Sequence, residues 1–186
     1  FYFEKTADYT DYADLGCLTR KNLCNLRNLW IEKMLTLSKE IHDAIKAHGQ
    51  ASYPFEGCGL LLGRADNGTN IVQEIRPMEN VWPNEAEKPI RFSIDPGAWQ
   101  KVELEAMLAG LDVIGIFHSH PDDVPVASPR DLAWASWPGY SYLITQVLEG
   151  EPTYSQSWQL AADRSGFIEE EVIETVTNKE HRDTRS

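Results

Sequence analysis

Two histidines and an aspartate stand at spacings that suit a shared metal ion. His118 and His120 close a strongly apolar segment that begins at Asp112. Because side chains alternate along a strand, residues two apart point to the same face, so both imidazoles can converge on one ion. Ser128 comes eight residues after His120 and Asp131 three residues later, which gives the pattern H-x-H-P-x6-S-x2-D. The pattern brings three metal-binding side chains and one hydroxyl together.

This set of ligands indicates a catalytic ion rather than a structural one. A structural zinc uses four protein ligands, usually with thiolates, and Cys17, Cys24 and Cys58 show no such spacing. Two imidazoles and one carboxylate leave one tetrahedral position for water, whose pKa zinc lowers from about 15.7 towards 7. The sequence therefore predicts one Zn²⁺ per chain, bound by His118, His120 and Asp131.

Each half of the pattern also has an ordinary structural explanation. The run from Ser128 to Asp131 is a normal helix start, with a serine cap and an acid at the third helical position. Two histidines at a strand end can be satisfied by neighbouring groups. The joint occurrence of both halves favours the metal site. The HExxH motif of thermolysin-like enzymes and the cysteine pair of zinc deaminases are absent from the sequence.

A second motif supplies a candidate base, which a metal hydrolase needs to move the proton of its water. It reads Tyr53-Pro54-x-Glu56-x-Cys58-Gly59-Leu60-Leu61-Leu62-Gly63. With the histidine pattern, this motif resembles the signature of the JAMM/MPN-plus zinc metallopeptidases, and it is closest to their small bacterial branch. The resemblance implies that Glu56 is the general acid/base and that Ser128 donates to the oxyanion of the tetrahedral intermediate. The alternative for Glu56 is a surface acid that caps a strand.

The resemblance extends from about Met34 to Ile173 and implies a function. The small bacterial branch is associated with ubiquitin-like sulfur carriers that end in Gly-Gly, from which it removes an attached cysteine or peptide. The expected partner is therefore a small ubiquitin-like or sulfur-carrier protein, cleaved by amide or isopeptide hydrolysis. Polyubiquitin is not expected, because the long insertions of eukaryotic deubiquitinases are missing. Two alternatives stay open: a non-catalytic MPN scaffold, and a general dipeptidase or amidase for small substrates.

Helices and strands alternate along the segment that carries both motifs. The spacing of Leu37, Ile41, Ile45 and His48 predicts a helix from Met34 that stops at Gly49. Further helices are expected at 95–108, with Asp95 as its cap, and at 128–137. Strands are expected at 57–63, 71–75, 90–94, 112–118, 142–148, 154–160 and 167–173. This order predicts a single α/β layered domain, with a central mixed, mostly antiparallel sheet flanked by helices in the cytidine-deaminase-like MPN/JAMM fold.

Three regions of the chain are expected from these patterns. Residues 1–33 form an N-terminal extension, either a translated segment upstream of the true start or one that docks on the domain or on a partner. Leu26, Leu29 and Trp30 offer apolar area for packing against the first helix. Residues 34–175 form the catalytic domain, and residues 176–186 form a polar C-terminal tail. We expect the extension to be dispensable for catalysis, because every residue of the proposed site follows it.

Composition narrows the classes of partner. A net charge of -12 argues against a nucleic-acid surface, which needs a face of lysines and arginines. Apolar runs such as 113–117 are far shorter than the roughly 18 residues of a membrane span, and no signal-peptide pattern opens the chain. The three cysteines suit a reducing compartment. We therefore expect a cytoplasmic protein without nucleic-acid or membrane partners.

The remaining notable side chains are interpreted as structural. Cys58 is expected in the core rather than as a nucleophile, and His48 is expected to satisfy the end of a helix. Trp134 and Trp137 are expected to pack in the core rather than to line a groove. We expect three features to be solvent-exposed: His42, His181 and the acidic run at 169–171.

Overall fold

The computed structural model describes residues 33–176. The predictions for Leu26, Leu29, Trp30 and His181 lie outside these residues. No helix within 33–176 is long and apolar enough to cross a membrane.

Seven strands of this part of the chain form one closed sheet. They are β1 (Met34–Ser38), β2 (Cys58–Asp66), β3 (Thr69–Met78), β4 (Asp112–Pro121), β5 (Ser141–Leu148), β6 (Glu151–Leu160) and β7 (Phe167–Thr175). Their order is β1-β3-β2-β4-β5-β6-β7, and β1 also pairs with β7, which closes the barrel. Four of the seven pairings are antiparallel, so the prediction of a mixed, mostly antiparallel sheet is confirmed.

Helices pack on both faces of this sheet. They are α1 (Lys39–Ser52), α2 (Pro96–Leu108), the short α3 (Pro129–Trp134) and a 3₁₀ helix (Glu85–Ile90). Alternation along β2 divides the core, because Leu61 packs on the side of α1 while Leu60 and Leu62 pack on the side of α2. The predicted α/β layered architecture is confirmed.

Strand β4 lies between β2 and β5 and is buried over most of its length. It pairs antiparallel with β2, so that His118 lies opposite Cys58, and parallel with β5, so that His120 lies opposite Gln146. Gly59 allows this close packing, since a Cβ there would overlap the ring of Phe117 and stand 2.5 Å from the carbonyl oxygen of Arg76. Pairing on both edges holds the histidine-bearing end of β4 in place.

The helix predicted from Met34 begins instead at Lys39. Residues 34–38 form β1, in which Leu35 and Leu37 alternate with less buried positions. Ser38 then caps α1 by accepting a hydrogen bond from the Ile41 N–H group at 3.3 Å. Gly49 does not stop the helix. Its missing side chain instead lets α1 approach β4 and β5, since a Cβ there would stand 3.1 Å from that of Ser119.

Two other predicted elements, the strand at 90–94 and the helix at 128–137, differ from the structure. The strand expected at 90–94 is absent from the sheet, because Ile90 ends the 3₁₀ helix and residues 91–94 run extended beside the barrel. Phe92 and Ile94 pack against the α2-side core, which explains the alternating pattern without strand pairing. The helix expected at 128–137 ends at Trp134. The predicted cap of α2 is confirmed, because Asp95 accepts a hydrogen bond from the Ala98 N–H group at 2.8 Å.

Candidate metal centre

The three predicted ligands meet at the end of β4. The Nε2 atoms of His118 and His120 are 3.1 Å apart. Asp131 at the start of α3 places Oδ1 at 3.5 Å from His118 Nε2 and Oδ2 at 4.0 Å from His120 Nε2. In a tetrahedral site with bonds of about 2.0–2.2 Å, ligand atoms stand roughly 3.3–3.6 Å apart. The observed separations of 3.1 to 4.0 Å lie within a few tenths of an ångström of that range, so small side-chain adjustments would let all three bind one ion.

Neighbouring groups hold the two imidazole rings in place. His120 Nδ1 donates to the carbonyl oxygen of Val124 at 2.7 Å, which leaves its Nε2 lone pair facing His118. The ring of His118 packs against that of Phe92, with centroids 4.8 Å apart. Burial lowers the pKa of His118, although the Asp131 carboxylate works in the opposite direction. Burial therefore favours the neutral form of His118, whose Nε2 atom can offer a lone pair to a cation.

The first turn of α3 holds Asp131 through a capping box. The Ser128 N–H group donates to Asp131 Oδ2 at 2.6 Å, and the Asp131 N–H group donates to Ser128 Oγ at 3.2 Å. Burial works to raise the pKa of Asp131, but His118 and the hydrogen bonds from Ser128 hold that pKa below its usual value. The ordinary helix cap is thus real, and it holds the Asp131 carboxylate beside the two histidines. Ser128 Oγ accepts from the Asp131 N–H group in this cap, and Ser128 also lines the cavity.

Glu56 is buried beside this cluster and lines the same cavity. Burial, followed by the charge of Asp131, raises the pKa of Glu56 to about 9, although Arg130 lowers it. The main chain next to it is held by the Gly57 N–H group, which donates to Ser119 Oγ at 2.9 Å. The alternative of a surface acid is excluded by this burial. A buried carboxyl that lines a cavity beside three metal-binding side chains is a candidate for proton transfer.

The cavity above the cluster has a volume of about 590 Å³ and largely aromatic walls. Trp82 and Trp134 both line it and touch edge to face, with ring centroids 5.7 Å apart. Trp137 stacks on Trp99 at 4.9 Å. The prediction that Trp134 and Trp137 pack in the core is wrong, since they are 66% and 41% exposed and both line the cavity.

Two of the structural interpretations are confirmed. Cys58 is fully buried, and burial raises the pKa of its thiol to about 12, which makes it a core residue rather than a nucleophile. His48 Nε2 makes a hydrogen bond to the carbonyl oxygen of Cys58 at 3.1 Å, so it serves the packing of α1 on β2.

Two side chains expected at the surface are buried. His42 bridges Glu174 and Ser155 through its two ring nitrogens, at 2.9 Å each. Glu170, in the middle of the acidic run, accepts hydrogen bonds from Ser141 Oγ at 3.0 Å and Ser157 Oγ at 2.7 Å. The prediction that these two residues are exposed is wrong, because partners distant in the sequence satisfy both.

Sequence reasoning missed two residues that hold the chain around Glu56. Ser119, between the histidines, points to the opposite face of β4 and accepts from Gly57, as described above. Asn80, at the end of β3, donates to the carbonyl oxygen of Glu56 at 3.0 Å. Strand alternation could have indicated Ser119. Asn80 gave no signal, since a single asparagine in a polar stretch is typical of any loop.

A three-ligand cluster at a strand end, with a buried carboxyl beside it, is the side-chain set of a metal-dependent hydrolase. The chain belongs to the prokaryotic homologs of the JAB domain, the family whose sequence profile matches residues 38–161. This membership confirms the resemblance drawn from the two motifs.

Known proteins similar to this chain agree with that family. The desampylase of Haloferax volcanii is 39% identical over 115 residues, which cover 59% of this chain and 78% of that protein. A probable TtuB-protein conjugate cleaving protease of Thermus thermophilus is 31% identical over 105 residues, or 56% of this chain and 65% of that protein. A solution structure from Desulfitobacterium hafniense is 32% identical, with a TM-score of 0.68, and covers 80% of this chain and 97% of its own.

Proposed function

We propose that this protein is a zinc-dependent peptidase that hydrolyses the amide or isopeptide bond after the C-terminal Gly-Gly of a small ubiquitin-like or sulfur-carrier protein. The observation that carries the proposal is the convergence of His118, His120 and Asp131 within 4.8 Å, beside the buried carboxyl of Glu56. A peptide or isopeptide hydrolase is also what the related desampylase and conjugate-cleaving protease indicate.

Zinc is the ion that this set of ligands suits best. Imidazole nitrogens with a single carboxylate match a borderline cation, whereas magnesium and calcium prefer oxygen ligands throughout. The residues that would hold it are His118, His120 and Asp131. When bound, zinc would supply Lewis acidity, which lowers the pKa of a coordinated water and polarises the substrate carbonyl.

Two side chains carry out the proton transfer and charge stabilisation. Glu56 accepts a proton from the attacking water and delivers it to the leaving amine, a role that its buried position in the cavity supports. Ser128 donates its hydroxyl proton to the carbonyl oxygen as that atom gains negative charge. Both residues line the cavity that contains the three ligands, so a single bound peptide bond can reach them.

The shape of the cavity supports a tail without side chains. Trp82 and Trp134 line the groove in contact with each other, and residues 91–94 form one wall of it. Extended peptides commonly lie along such backbone, and specificity then comes from the room left for side chains. Because the large rings of Trp82 and Trp134 narrow this passage, a tail without side chains such as Gly-Gly fits it.

The test is to incubate the protein with a sulfur-carrier protein extended by a few residues past its Gly-Gly. We expect release of the extension, inhibition by a chelator and recovery on addition of zinc. A matched carrier that ends in Ala-Ala before the extension should be cleaved much more slowly. Equal cleavage of both carriers, or of free dipeptides, would instead support a general amidase.

A further inference from the structure

The side-chain amide of Asn80 uses its whole hydrogen-bonding capacity beside the proposed base. Its Nδ2 group donates to the carbonyl oxygens of Glu56 at 3.0 Å and Arg91 at 2.9 Å. Its Oδ1 atom accepts from the main-chain N–H groups of Trp82 at 3.1 Å and Ser93 at 3.2 Å. A primary amide offers two donor protons and two lone pairs, so all four positions are filled.

These bonds connect the residue proposed as base with one wall of the groove. Trp82, Arg91 and Ser93 all line the cavity, yet they belong to no strand of the barrel. The Glu56 N–H group donates to the carbonyl oxygen of Lys88 at 2.9 Å, so the same segment holds Glu56 from its other side. The Asn80 bond and the Lys88 bond together therefore fix the Glu56 main chain relative to the groove wall.

We propose that Asn80 is a positioning residue for the hydrolytic reaction, and that it holds Glu56 at a set distance from the wall that receives the substrate tail. The inference rests on the proposed function, in which Glu56 is the base. It extends that function by adding a residue that touches neither metal nor substrate. The effect on rate is large because a displacement of about 1 Å in a reacting group can cost about 100-fold.

Asn80→Asp isolates the donor half of the amide. The variant keeps the shape of the side chain and the oxygen that accepts from Trp82 and Ser93. The donor, however, is replaced by an oxygen that faces the two carbonyl oxygens of Glu56 and Arg91 and repels both. We expect kcat for the extended carrier to fall by about 30- to 100-fold. Zinc content should stay at the wild-type level, because the bonds of Asn80 go to Glu56 and the groove wall rather than to the ligands.

A double-mutant cycle with Glu56→Gln separates positioning from a general structural role. If Asn80 acts through the Glu56 carboxyl, adding Asn80→Asp to Glu56→Gln should lower the residual kcat by less than about 3-fold. A structural role would lower kcat by the same factor in both backgrounds. The cycle includes wild-type protein and Glu56→Gln alone, so a failure of the proposed base is seen there, separately from a failure of the Asn80 proposal.

Asn70, on β3, provides a matched control. Its amide is 3% exposed and donates to the Gly139 carbonyl oxygen at 2.9 Å and to Ser141 Oγ at 2.8 Å, away from Glu56. Asn70→Asp should lower the melting temperature at least as much as Asn80→Asp does, with kcat within about 3-fold of wild type for the folded protein.

The proposal is overturned if Asn80→Asp retains near wild-type kcat, or if it lowers kcat equally with and without the Glu56 carboxyl. If Asn80→Asp does not fold, Asn80→Ala enters the same cycle, because it removes the hydrogen bonds without adding a charge. A loss of kcat in Asn80→Ala that disappears in the Glu56→Gln background supports positioning. An equal loss in both backgrounds rejects it.

Discussion

Residues 33–176 of this protein contain two groups of buried polar side chains, and only one of them opens to a cavity. The site cluster consists of Glu56, His118, His120 and Asp131, and it opens to the cavity. The closed cluster lies inside the barrel and consists of Asn70, Ser141, Ser157, Gln159 and Glu170.

The two buried glutamates show the contrast most clearly. Burial raises the pKa of both Glu56 and Glu170. The carboxyl of Glu170 is enclosed by hydroxyl and amide donors, which lower its pKa again in part, whereas that of Glu56 faces the cavity beside the Asp131 charge. A buried acid that accepts hydrogen bonds from its neighbours stabilises the fold, whereas a buried acid that faces an open cavity is available for chemistry.

The largest effect is expected from removing a ligand of the site cluster. His120→Ala should lose bound zinc and lower the cleavage rate by about 10⁴-fold or more, because two side chains hold an ion far more weakly than three. Elemental analysis and carrier cleavage measure the two losses. A variant that keeps both zinc and turnover would remove His120 from the metal centre.

Glu56→Gln should separate binding from chemistry. We expect zinc content to stay near one per chain while kcat falls by about 10²- to 10⁴-fold, because the amide cannot accept the proton of the water. Glu170→Gln is the matched control, and its kcat should stay within about 2-fold of wild type. Similar losses from both substitutions would mean that the two clusters do not differ as described.

Glu170→Gln should instead change how stability depends on pH. Burial holds the pKa of Glu170 above its unfolded value, so the folded state is penalised once the carboxyl must ionise. The contribution of Glu170 to stability is fully present below the unfolded pKa of about 4.3 and is lost as pH rises through the folded pKa. The free energy of unfolding of Glu170→Gln should therefore rise, relative to wild type, between pH 4 and pH 7.

Chemical denaturation at these two pH values measures that change. Asp66→Asn, at the exposed end of β2, is the control for removal of an acid in general. If Glu170→Gln and Asp66→Asn change stability in parallel across this range, burial does not control the titration of Glu170.

The smallest effect is expected from removing residues 1–33. The site cluster and the closed cluster both lie after Met34. A chain that begins at Met34 should match the full chain in zinc content and kcat, within about 2-fold. Lost activity in a shortened chain that still folds would show that the extension contributes to the site.

Local patterns were enough to predict the metal centre but not its surroundings. His118 and His120 could be placed on one face because strand alternation is a property of adjacent residues. The spacing of Leu37, Ile41 and Ile45 was misleading, since it crosses a junction where β1 ends and α1 begins. The ring positions of Trp134 and Trp137 depend on where α3 stops.

The closed cluster could not be predicted for a related reason. Glu170 stands between two other acids, and its partners Ser141 and Ser157 lie on different strands. Only the pairing of β5, β6 and β7 brings them together. The role of Asn80 could not be predicted either, because its side chain makes hydrogen bonds to four main-chain groups from separate segments.

The central claim is that one zinc ion held by His118, His120 and Asp131 supports cleavage after Gly-Gly. Its most direct test is to strip the protein with a chelator and titrate zinc back while measuring cleavage of the extended carrier. The account predicts negligible activity in the stripped protein and a linear recovery that reaches a plateau at about one zinc per chain. Full activity in the stripped protein, or no recovery with zinc in a protein that remains folded, would contradict it.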